Sequence, residues 1–268
     1  MDNMSEQNNP KFNEILEDTW GIFKPNLKSI AIITAVVYIP VNFILNLVNL
    51  NSPTIPDNAT TTEILNSIKQ QMRVGQLLEG TLGLIGTFAL YYIILKAQQK
   101  KNIDPLKALK EGLNKFFGGF LVNLNLGVRL LLLLIALIIP GLVFAVFWAF
   151  ALQAYFFRQK TGYDALIYSK SLVKGRWWHV FQIQISIWIL SFITGLILGL
   201  PYIFLPENLG INIIYDTFID LSFMFFLTAQ VIYFFKLEKT LPKNKPALEP
   251  TPAPPKKESK QTKEVASK

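Results

Sequence analysis

Six long apolar segments constrain the fold of this chain more than any other feature of its sequence. They occupy residues 29–49, 76–97, 119–139, 141–158, 179–200 and 215–235. Each is close to the roughly 20 residues that a helix needs to cross the ~30 Å hydrocarbon core of a bilayer. A soluble helical protein would keep a charged face on such helices, whereas the stretch from Leu130 to Phe157 holds no charged residue. We therefore predict an all-α polytopic membrane protein whose six transmembrane helices form three hairpins.

A short amphipathic segment precedes each predicted hairpin. The three segments begin near Asn9-Pro10, Asp104-Pro105 and Asp164, and these residue types are common at helix starts. Their apolar faces are Phe12, Ile15, Leu16, Trp20, Ile22 and Phe23 in the first, Leu106, Leu109, Leu113, Phe116 and Phe117 in the second, and Ala165, Tyr168, Leu172 and Val173 in the third. We predict an interfacial helix in front of each hairpin. The spacing also supports the hypothesis of a threefold internal repeat, with ordinary amphipathic juxtamembrane segments as the alternative.

Basic residues are concentrated in two of the predicted loops. These residues are Lys100, Lys101, Lys107, Lys110 and Lys115 in one loop, and Arg158, Lys160, Lys170, Lys174 and Arg176 in the other. Residues 201–214 contain none. By the positive-inside rule we expect a multi-pass protein of the plasma (inner) membrane with both termini in the cytoplasm. The net charge of +8 then indicates topology and contact with anionic inner-leaflet lipid, and it does not indicate nucleic-acid binding.

The two ends of the chain differ from the six segments in composition. The N-terminal segment has no basic stretch leading to a small-residue cleavage site, so we expect the first span to act as its own insertion signal. Residues 241–268 are rich in Pro and Lys, and this composition is typical of a disordered tail. We therefore divide the chain into a membrane domain, residues 1–240, and a disordered cytoplasmic tail.

The largest predicted loop between spans runs from Asn51 to Gly75. Thr60 and Glu63 have the spacing of a capping box. The apolar residues that follow at helical spacing are Ile64, Leu65, Ile68 and Met72. This pattern predicts a short helix lying on the outer surface, where it covers the end of the first hairpin.

The sequence contains no pattern that indicates catalysis or a cofactor. Cysteine is absent and His179 is the single histidine, whereas hydrolases and metal enzymes need several convergent His, Cys, Asp or Glu side chains. Walker, Rossmann and nucleophile-elbow motifs are also missing from the sequence. We expect a protein that is not an enzyme and that holds no metal or cofactor.

Arg129 is the most unusual residue of the predicted spans, because it falls near the middle of the third. An unpaired charge at this depth costs at least ~2.5 kcal/mol on insertion scales. We therefore predict a polar intramembrane site formed by Arg129, Asp220, Asp216, Gln153 and Gln184. One interpretation is a pocket for an anionic solute or a lipid headgroup. The other is an ion pair or a snorkelling arginine that fixes helix packing.

Where the fifth span meets the basic loop, cationic and aromatic residues alternate. We predict that Lys174, Arg176, Trp177 and Trp178 contact interfacial lipid, because Trp and basic residues are enriched at this depth. In the preceding hairpin, Ile139-Pro140-Gly141 should turn the third span into the fourth.

The same region of the chain resembles a known family. The Ile139-Pro140-Gly141 turn, Tyr163-Asp164-Ala165-Leu166, and the run from Ser171 to Trp178 resemble the bacterial membrane-domain family that occurs alone or fused to glycerophosphodiester phosphodiesterase. They also resemble the related, uncharacterised YciC-like six-span inner-membrane proteins. The likeness covers about residues 10–237 and implies a bacterial plasma-membrane protein. It implies no active site, because the family's phosphodiesterase activity belongs to a separate soluble domain.

Two classes of function are compatible with these features. We expect first a non-enzymatic scaffold, assembly or envelope-homeostasis protein, whose amphipathic helices and tail present a cytoplasmic surface to another membrane protein. The alternative is a small transporter or lipid-handling protein with its site around Arg129. A cavity that reaches Arg129 would favour transport, and a closed bundle would favour partner binding.

Overall fold

The computed structural model describes residues 9–50, 60–204 and 208–241. The α-helices in these ranges are α1 Phe12–Phe23, α2 Leu27–Leu50, α3 Thr61–Gln98, α4 Pro105–Ala136, α5 Ile138–Phe147, α6 Ala151–Arg158, α7 Gly162–Val173, α8 Trp177–Gly199 and α9 Leu209–Lys239. Short 3₁₀ turns join α1 to α2 at Lys24–Asn26 and follow α8 at Leu200–Phe204. No β-strand occurs in the described ranges. The predicted all-α fold is confirmed.

In the described ranges, six stretches of helix are long and apolar enough to cross a membrane. They are Phe12–Val48, Leu77–Gln98, Pro105–Ala136, Ile138–Arg158, Trp177–Tyr202 and Leu209–Lys239. Each contains or closely overlaps one of the predicted spans, because hydropathy is a local property that a sequence window reports directly. The protein is a multi-pass membrane protein, and the prediction of six spans is confirmed.

The two ends of the helical bundle differ in charge. At one end, Arg158 pairs with Glu238 at 2.5 Å and Lys236 pairs with Asp18 at 2.7 Å. We call this the basic end, since the basic loops also lie there. The opposite end, which we call the far end, holds the last turns of α2 and the first turns of α9.

The buried core is built mainly from the halves of α3 and α9 that lead to the basic end, together with α6 and α7. Aromatic rings fill much of it, as in the stacked pair of Phe88 and Phe156, whose centroids are 5.8 Å apart. Toward the far end and along α4 and α8, large apolar side chains are exposed, with Ile139 at 77%. Apolar exposure of this extent suits a helix surrounded by lipid, because a bilayer solvates apolar side chains.

The predicted interfacial helices take different forms in the structure. The first segment is α1, and it packs on α9 through Ile15, Thr19 and Phe23, which recur every four residues and are buried. α1 begins at Phe12 with Lys11 as its N-cap, so the predicted cap at Asn9-Pro10 is two residues too early. The pairing of the Lys11 N–H with the Glu14 carboxylate at 3.5 Å fixes this later start. Its placement at a membrane interface stays a prediction.

The second segment is not a helix of its own, because α4 continues from Pro105 to Ala136 without a break. Its predicted start is confirmed, since the Asp104 carboxylate accepts hydrogen bonds from the N–H groups of Leu106 and Lys107. No proline follows within the helix to end it. α4 also packs through Gly112, where an added Cβ would lie only 2.4 Å from the carbonyl oxygen of Ile85.

The third segment is α7, and it packs as part of the core. Its buried residues are Ala165, Leu166, Ser169, Leu172 and Val173. α7 begins at Gly162, so Asp164 lies in its first turn and does not cap it; a carboxylate in a first turn still stabilises the helix dipole. The three segments thus differ in architecture, and the threefold repeat stays a hypothesis.

The helix of the fourth span is interrupted in the middle, and a side chain of α7 forms hydrogen bonds with the backbone groups at the interruption. α5 ends at Phe147 and α6 begins at Ala151. The Ser169 hydroxyl donates to the Phe147 carbonyl at 2.8 Å and accepts from the Phe150 N–H at 3.0 Å. Non-helical backbone at membrane depth is tolerated only where protein or water satisfies its polar groups. The side chain of Ser169, which is 0% exposed, does this here.

The turn between the third and fourth spans lies slightly earlier than predicted. α4 ends at Ala136, Leu137 is extended, and α5 begins at Ile138, so that Pro140 and Gly141 lie in the first turn of α5. Proline is tolerated there, because the N–H groups of a first turn have no partner within the helix.

The predicted helix of the outer loop is the beginning of α3. Its capping box is confirmed, since the Glu63 carboxylate accepts from the Thr60 N–H at 2.8 Å and the Thr60 hydroxyl accepts from the Glu63 N–H at 3.3 Å. The helix then runs without interruption from Thr61 to Gln98 and leads into the second span. The prediction of a separate helix lying on the surface is therefore wrong, since no Pro or capping residue ends the helix before Gly75. The side chains of the predicted apolar stripe, Ile64, Leu65, Ile68 and Met72, are not among the side chains that the structure describes.

Candidate functional site

A polar cavity of about 460 Å³ opens between α2, α3 and α9 toward the far end. Its lining residues are Asn42, Leu45, Asn46, Gly75, Glu79, Tyr202, Asp216, Ile219, Asp220 and Phe223. We call it the acidic cavity, because its charged members are all carboxylates. All three carboxylates belong to helical stretches that are apolar enough to cross a membrane.

Two asparagines of α2 hold the two aspartates of α9. The Asn42 Nδ2 donates to Asp220 Oδ2 at 2.8 Å, and the Asn46 Nδ2 donates to Asp216 Oδ2 at 2.9 Å. Residues four apart lie one turn above each other on a helix face. Asn42 and Asn46 are four residues apart, and so are Asp216 and Asp220. The two hydrogen-bonded pairs therefore lie one helical turn apart and hold α2 against α9 over that turn.

The asparagine amides are themselves fixed. Asn42 is 4% exposed and Asn46 is 7% exposed. Asn42 also donates to the Thr217 hydroxyl at 3.2 Å, and Asn46 donates to the Asn42 carbonyl at 2.9 Å. The carboxylates thus have fixed orientations, with their remaining lone pairs available to a ligand.

Among the side chains that the structure describes, no cationic one lines the acidic cavity. The ion pairs among the described residues join Lys107 to Asp104, Arg158 to Glu238 and Lys236 to Asp18. Within that part of the chain neither Glu79 nor the two aspartates has a cationic partner. Carboxylates in an apolar layer are costly unless a positive group compensates them. The described lining of the cavity is therefore acidic.

The three carboxylates line the walls of the cavity. Among the described residues no group of three or more His, Asp or Glu side chains is close enough to hold a metal ion. A ligand of several atoms, such as an ammonium group with its substituents, fits a cavity of this volume and can contact the carboxylates on different walls.

Arg129 does not belong to this cavity. Its Nε donates to Asn125 Oδ1 on the same helix at 2.9 Å, and its guanidinium lies 4.6 Å from the centre of the Tyr163 ring in the first turn of α7. The predicted pairing with Asp220 or Asp216 is therefore not formed. Arg129 is exposed, and a cation–π contact of this kind joins α4 to α7. This contact agrees with the interpretation that Arg129 fixes helix packing. Its partner is an aromatic ring, whereas the sequence suggested an acidic residue.

The predicted glutamines lie apart from the aspartates. Gln153 of α6 is 2% exposed, and its Oε1 has no hydrogen-bond partner in the described structure. Gln184 lines a different cavity, between α5, α8 and α9. The five predicted site residues are thus distributed over four places, and only Asp216 and Asp220 act together. Asn42 and Asn46 were missed, although their spacing of four in an apolar span matches that of the aspartates.

The four predicted lipid-contact residues divide into two groups. Arg176 stabilises the bundle, since its Nε donates to the Leu172 carbonyl at 2.7 Å and its Nη2 to the Leu237 carbonyl at 3.0 Å. Burial lowers the pKa of Arg176. Trp177 donates its Nε1–H to the Val143 carbonyl at 3.1 Å. Lys174 is exposed and Trp178 is 70% exposed, so these two keep the surface that lipid contact requires.

A hydrogen-bonded network closes the basic end. Arg158 binds the Glu238 carboxylate with two nitrogens, at 2.8 Å from Nε and 2.5 Å from Nη2, and the Tyr168 hydroxyl donates to the same carboxylate. Burial and the Glu238 charge raise the pKa of Tyr168 to about 12. The network joins α6, α7 and α9, which is a structural role.

Comparisons with models of known protein families, with curated protein sequences and with solved structures find no match to this chain. The resemblance to the phosphodiesterase-associated membrane-domain family therefore stays a prediction.

Proposed function

We propose that this protein is a small transporter or lipid-handling protein that binds an organic cation, through its ammonium group, in the acidic cavity. The observation that carries the proposal is the pair of aspartates held by Asn42 and Asn46 beside Glu79, with no cationic side chain in the described structure to balance them. Ionisable residues within membrane spans commonly mark a substrate or ion pathway.

The ligand proposed here has the opposite charge to the anionic solute or headgroup that the sequence suggested. A pocket around Arg129 would select an anion, whereas the cavity is lined by carboxylates and does not include Arg129. Like charges on neighbouring walls repel one another, and a bound cation removes this repulsion. Binding of a positive group is therefore favoured over binding of a negative one.

We further propose the plasma membrane as the location, with the basic end facing the cytoplasm. The support is the concentration of Lys and Arg in the loops at that end. In this orientation the acidic cavity lies in the outward half of the protein. Lys174 and Trp178 would then contact anionic lipid of the inner leaflet.

The test measures thermal unfolding of the purified protein in detergent with choline or putrescine, against sodium chloride at equal ionic strength. A ligand at 100 times its dissociation constant stabilises a protein by about 2.7 kcal/mol. We expect an organic cation to stabilise the wild type and the Asp18→Asn and Arg129→Leu controls. We expect Asp216→Asn/Asp220→Asn to lose the effect. Equal stabilisation of this double variant would contradict the proposal.

The same variants separate transport from lipid handling. In proteoliposomes, uptake of the labelled cation that depends on Asp216 and Asp220 would indicate a transporter. In nanodiscs extracted directly from membranes, an amine-headgroup lipid retained by the wild type and lost by the double variant would indicate lipid handling.

A scaffold or assembly role is the second candidate. The observation that favours it is the extent of exposed apolar surface on α4 and α8, since the most apolar window of each is only 11% buried. Another membrane protein can cover such a face. The test is extraction in nanodiscs of the wild type and of Val128→Trp/Leu132→Trp, which preserves apolarity but alters the shape of α4. A protein retained at equal stoichiometry by the wild type and lost by the variant would support this role.

A further inference from the structure

A second cavity of about 460 Å³ lies between α5, α8 and α9. Its floor includes Ile187 and Phe226, which are 2% and 8% exposed, and its rim includes Trp188, which is 63% exposed. In the described structure no charged side chain lines it. We call it the apolar cavity. Its exposed rim means that it opens toward the surroundings of the bundle, which in a membrane are lipid.

Two hydrogen bonds, one on each side of the apolar cavity, fix the spacing of α8 and α9. At the basic end, Arg176 donates to the Leu237 carbonyl at 3.0 Å. Toward the far end, the Tyr215 hydroxyl donates to the Leu198 carbonyl at 2.7 Å. Closing the cavity by moving α8 onto α9 would disturb one of these bonds, so the space is a built feature of the fold.

Two glutamines face this space without hydrogen-bond partners. Gln184 of α8 and Gln230 of α9 line the apolar cavity, and neither side chain has a hydrogen bond to another described residue. Gln184 lies seven residues after the start of α8 at Trp177, about 10 Å along the helix axis. An amide in apolar surroundings is unfavourable until a hydrogen-bonding group pairs with it.

We propose that the apolar cavity binds a neutral, lipid-soluble molecule whose carbonyl or hydroxyl head pairs with Gln184 and Gln230. The amides both donate and accept hydrogen bonds, so they suit such a head. The uncharged lining favours a neutral ligand, and the aromatic walls provide the contact area for its apolar part. The ligand enters from the bilayer past Trp188. This site does not depend on the acidic cavity, although Phe223 lines both.

The test uses two short-tailed probes with this chemistry, decylubiquinone and dioctanoylglycerol, in thermal unfolding of the purified full-length protein. The variant is Gln184→Leu/Gln230→Leu, and the matched control is Gln182→Leu, an exposed glutamine of the same helix outside the cavity. We expect at least one probe to stabilise the wild type and the control. We expect the double variant to bind it about tenfold more weakly for each amide lost.

The double variant should also differ from the wild type in its melting temperature when no probe is present. Replacing unpaired amides by leucine removes their burial penalty, so its melting temperature without probe should exceed that of the wild type. This outcome shows that the variant is folded when probe binding is lost. Asp220→Asn should keep the full response, which separates this site from the acidic cavity. The proposal is overturned if neither probe stabilises the wild type, if the double variant responds equally, or if Asp220→Asn abolishes the response.

Discussion

Replacing Ser169 by alanine should destabilise the protein more than removing a hydroxyl that is bonded only within its own helix. The Ser169 hydroxyl is the partner of both the Phe147 carbonyl and the Phe150 N–H, at 2.8 Å and 3.0 Å. Both groups belong to the break between α5 and α6, where the regular helical bonds are interrupted. Alanine removes the hydroxyl and leaves a donor and an acceptor unpaired in a buried position.

The magnitude follows from counting these groups. Leaving a buried polar group unsatisfied costs about 1–3 kcal/mol. Water does not reach the site easily, since Ser169 is 0% exposed. Allowing for partial relaxation of the break, we expect Ser169→Ala to lower the free energy of unfolding by about 2–4 kcal/mol. This corresponds to about a 30-fold to 1,000-fold change in the unfolding equilibrium constant.

The assay is unfolding of the detergent-solubilised protein by added SDS, followed by tryptophan fluorescence. Trp148 lies in the break itself and is 7% exposed, and it contributes to the emission together with the four other tryptophans of the chain. The matched control is Ser186→Ala, because the Ser186 hydroxyl donates only to the Gln182 carbonyl of its own helix. We expect the control to change stability by less than about 0.5 kcal/mol. Equal stability of the two variants would refute the role assigned to Ser169.

Three further predictions concern helix packing and pH. Gly112→Ala should lower the free energy of unfolding by about 1–3 kcal/mol, because its Cβ would meet backbone of α3. Gly127→Ala, with nothing within 4 Å, should stabilise by about 0.5–1 kcal/mol; equal effects in SDS unfolding would contradict this. Arg129→Leu should cost about 0.5–2 kcal/mol by losing the contact with Tyr163, and Arg129→Lys should cost less in the same assay. The folded protein raises the pKa of Tyr168 from 10.0 to about 12, so stability should be complete below pH 10 and fall between pH 10 and 12. Tyr168→Phe should make that decline shallower, and an unchanged pH profile would argue against the effect.

The six spans and two of the helix starts were predictable from the sequence because they depend on neighbouring residues. The Thr60 capping box and the Asp104 cap each involve residues within three positions of one another. The six spans follow from local apolar composition. The placement of the amphipathic segments was not predictable in the same way. An apolar helix face packs equally well on lipid or on protein, and the neighbours that decide between them are distant in the sequence.

The candidate site shows the same division. Asp216 and Asp220 stand out in the sequence as acids within an apolar span, but the sequence suggested Arg129 as their partner. Their partners in the structure are Asn46 and Asn42, which are 170 and 178 residues away along the chain. Depth in the membrane is one coordinate, and it does not determine which helices are neighbours. Only helix packing brings α2 beside α9, so the charge of the proposed ligand could not be inferred from the sequence.

Hydropathy, helix caps and the charge of the loops are local properties of the sequence, because each depends on a few consecutive residues and on the solvent around them. They determine that the described chain forms six apolar helices long enough to cross a membrane, and they determine the helix starts at Thr60 and Asp104. Tertiary packing decides that Ser169 completes a broken span, that Arg129 meets an aromatic ring, and that two aspartates face a cavity. These outcomes depend on distances between helices, which no single helix specifies.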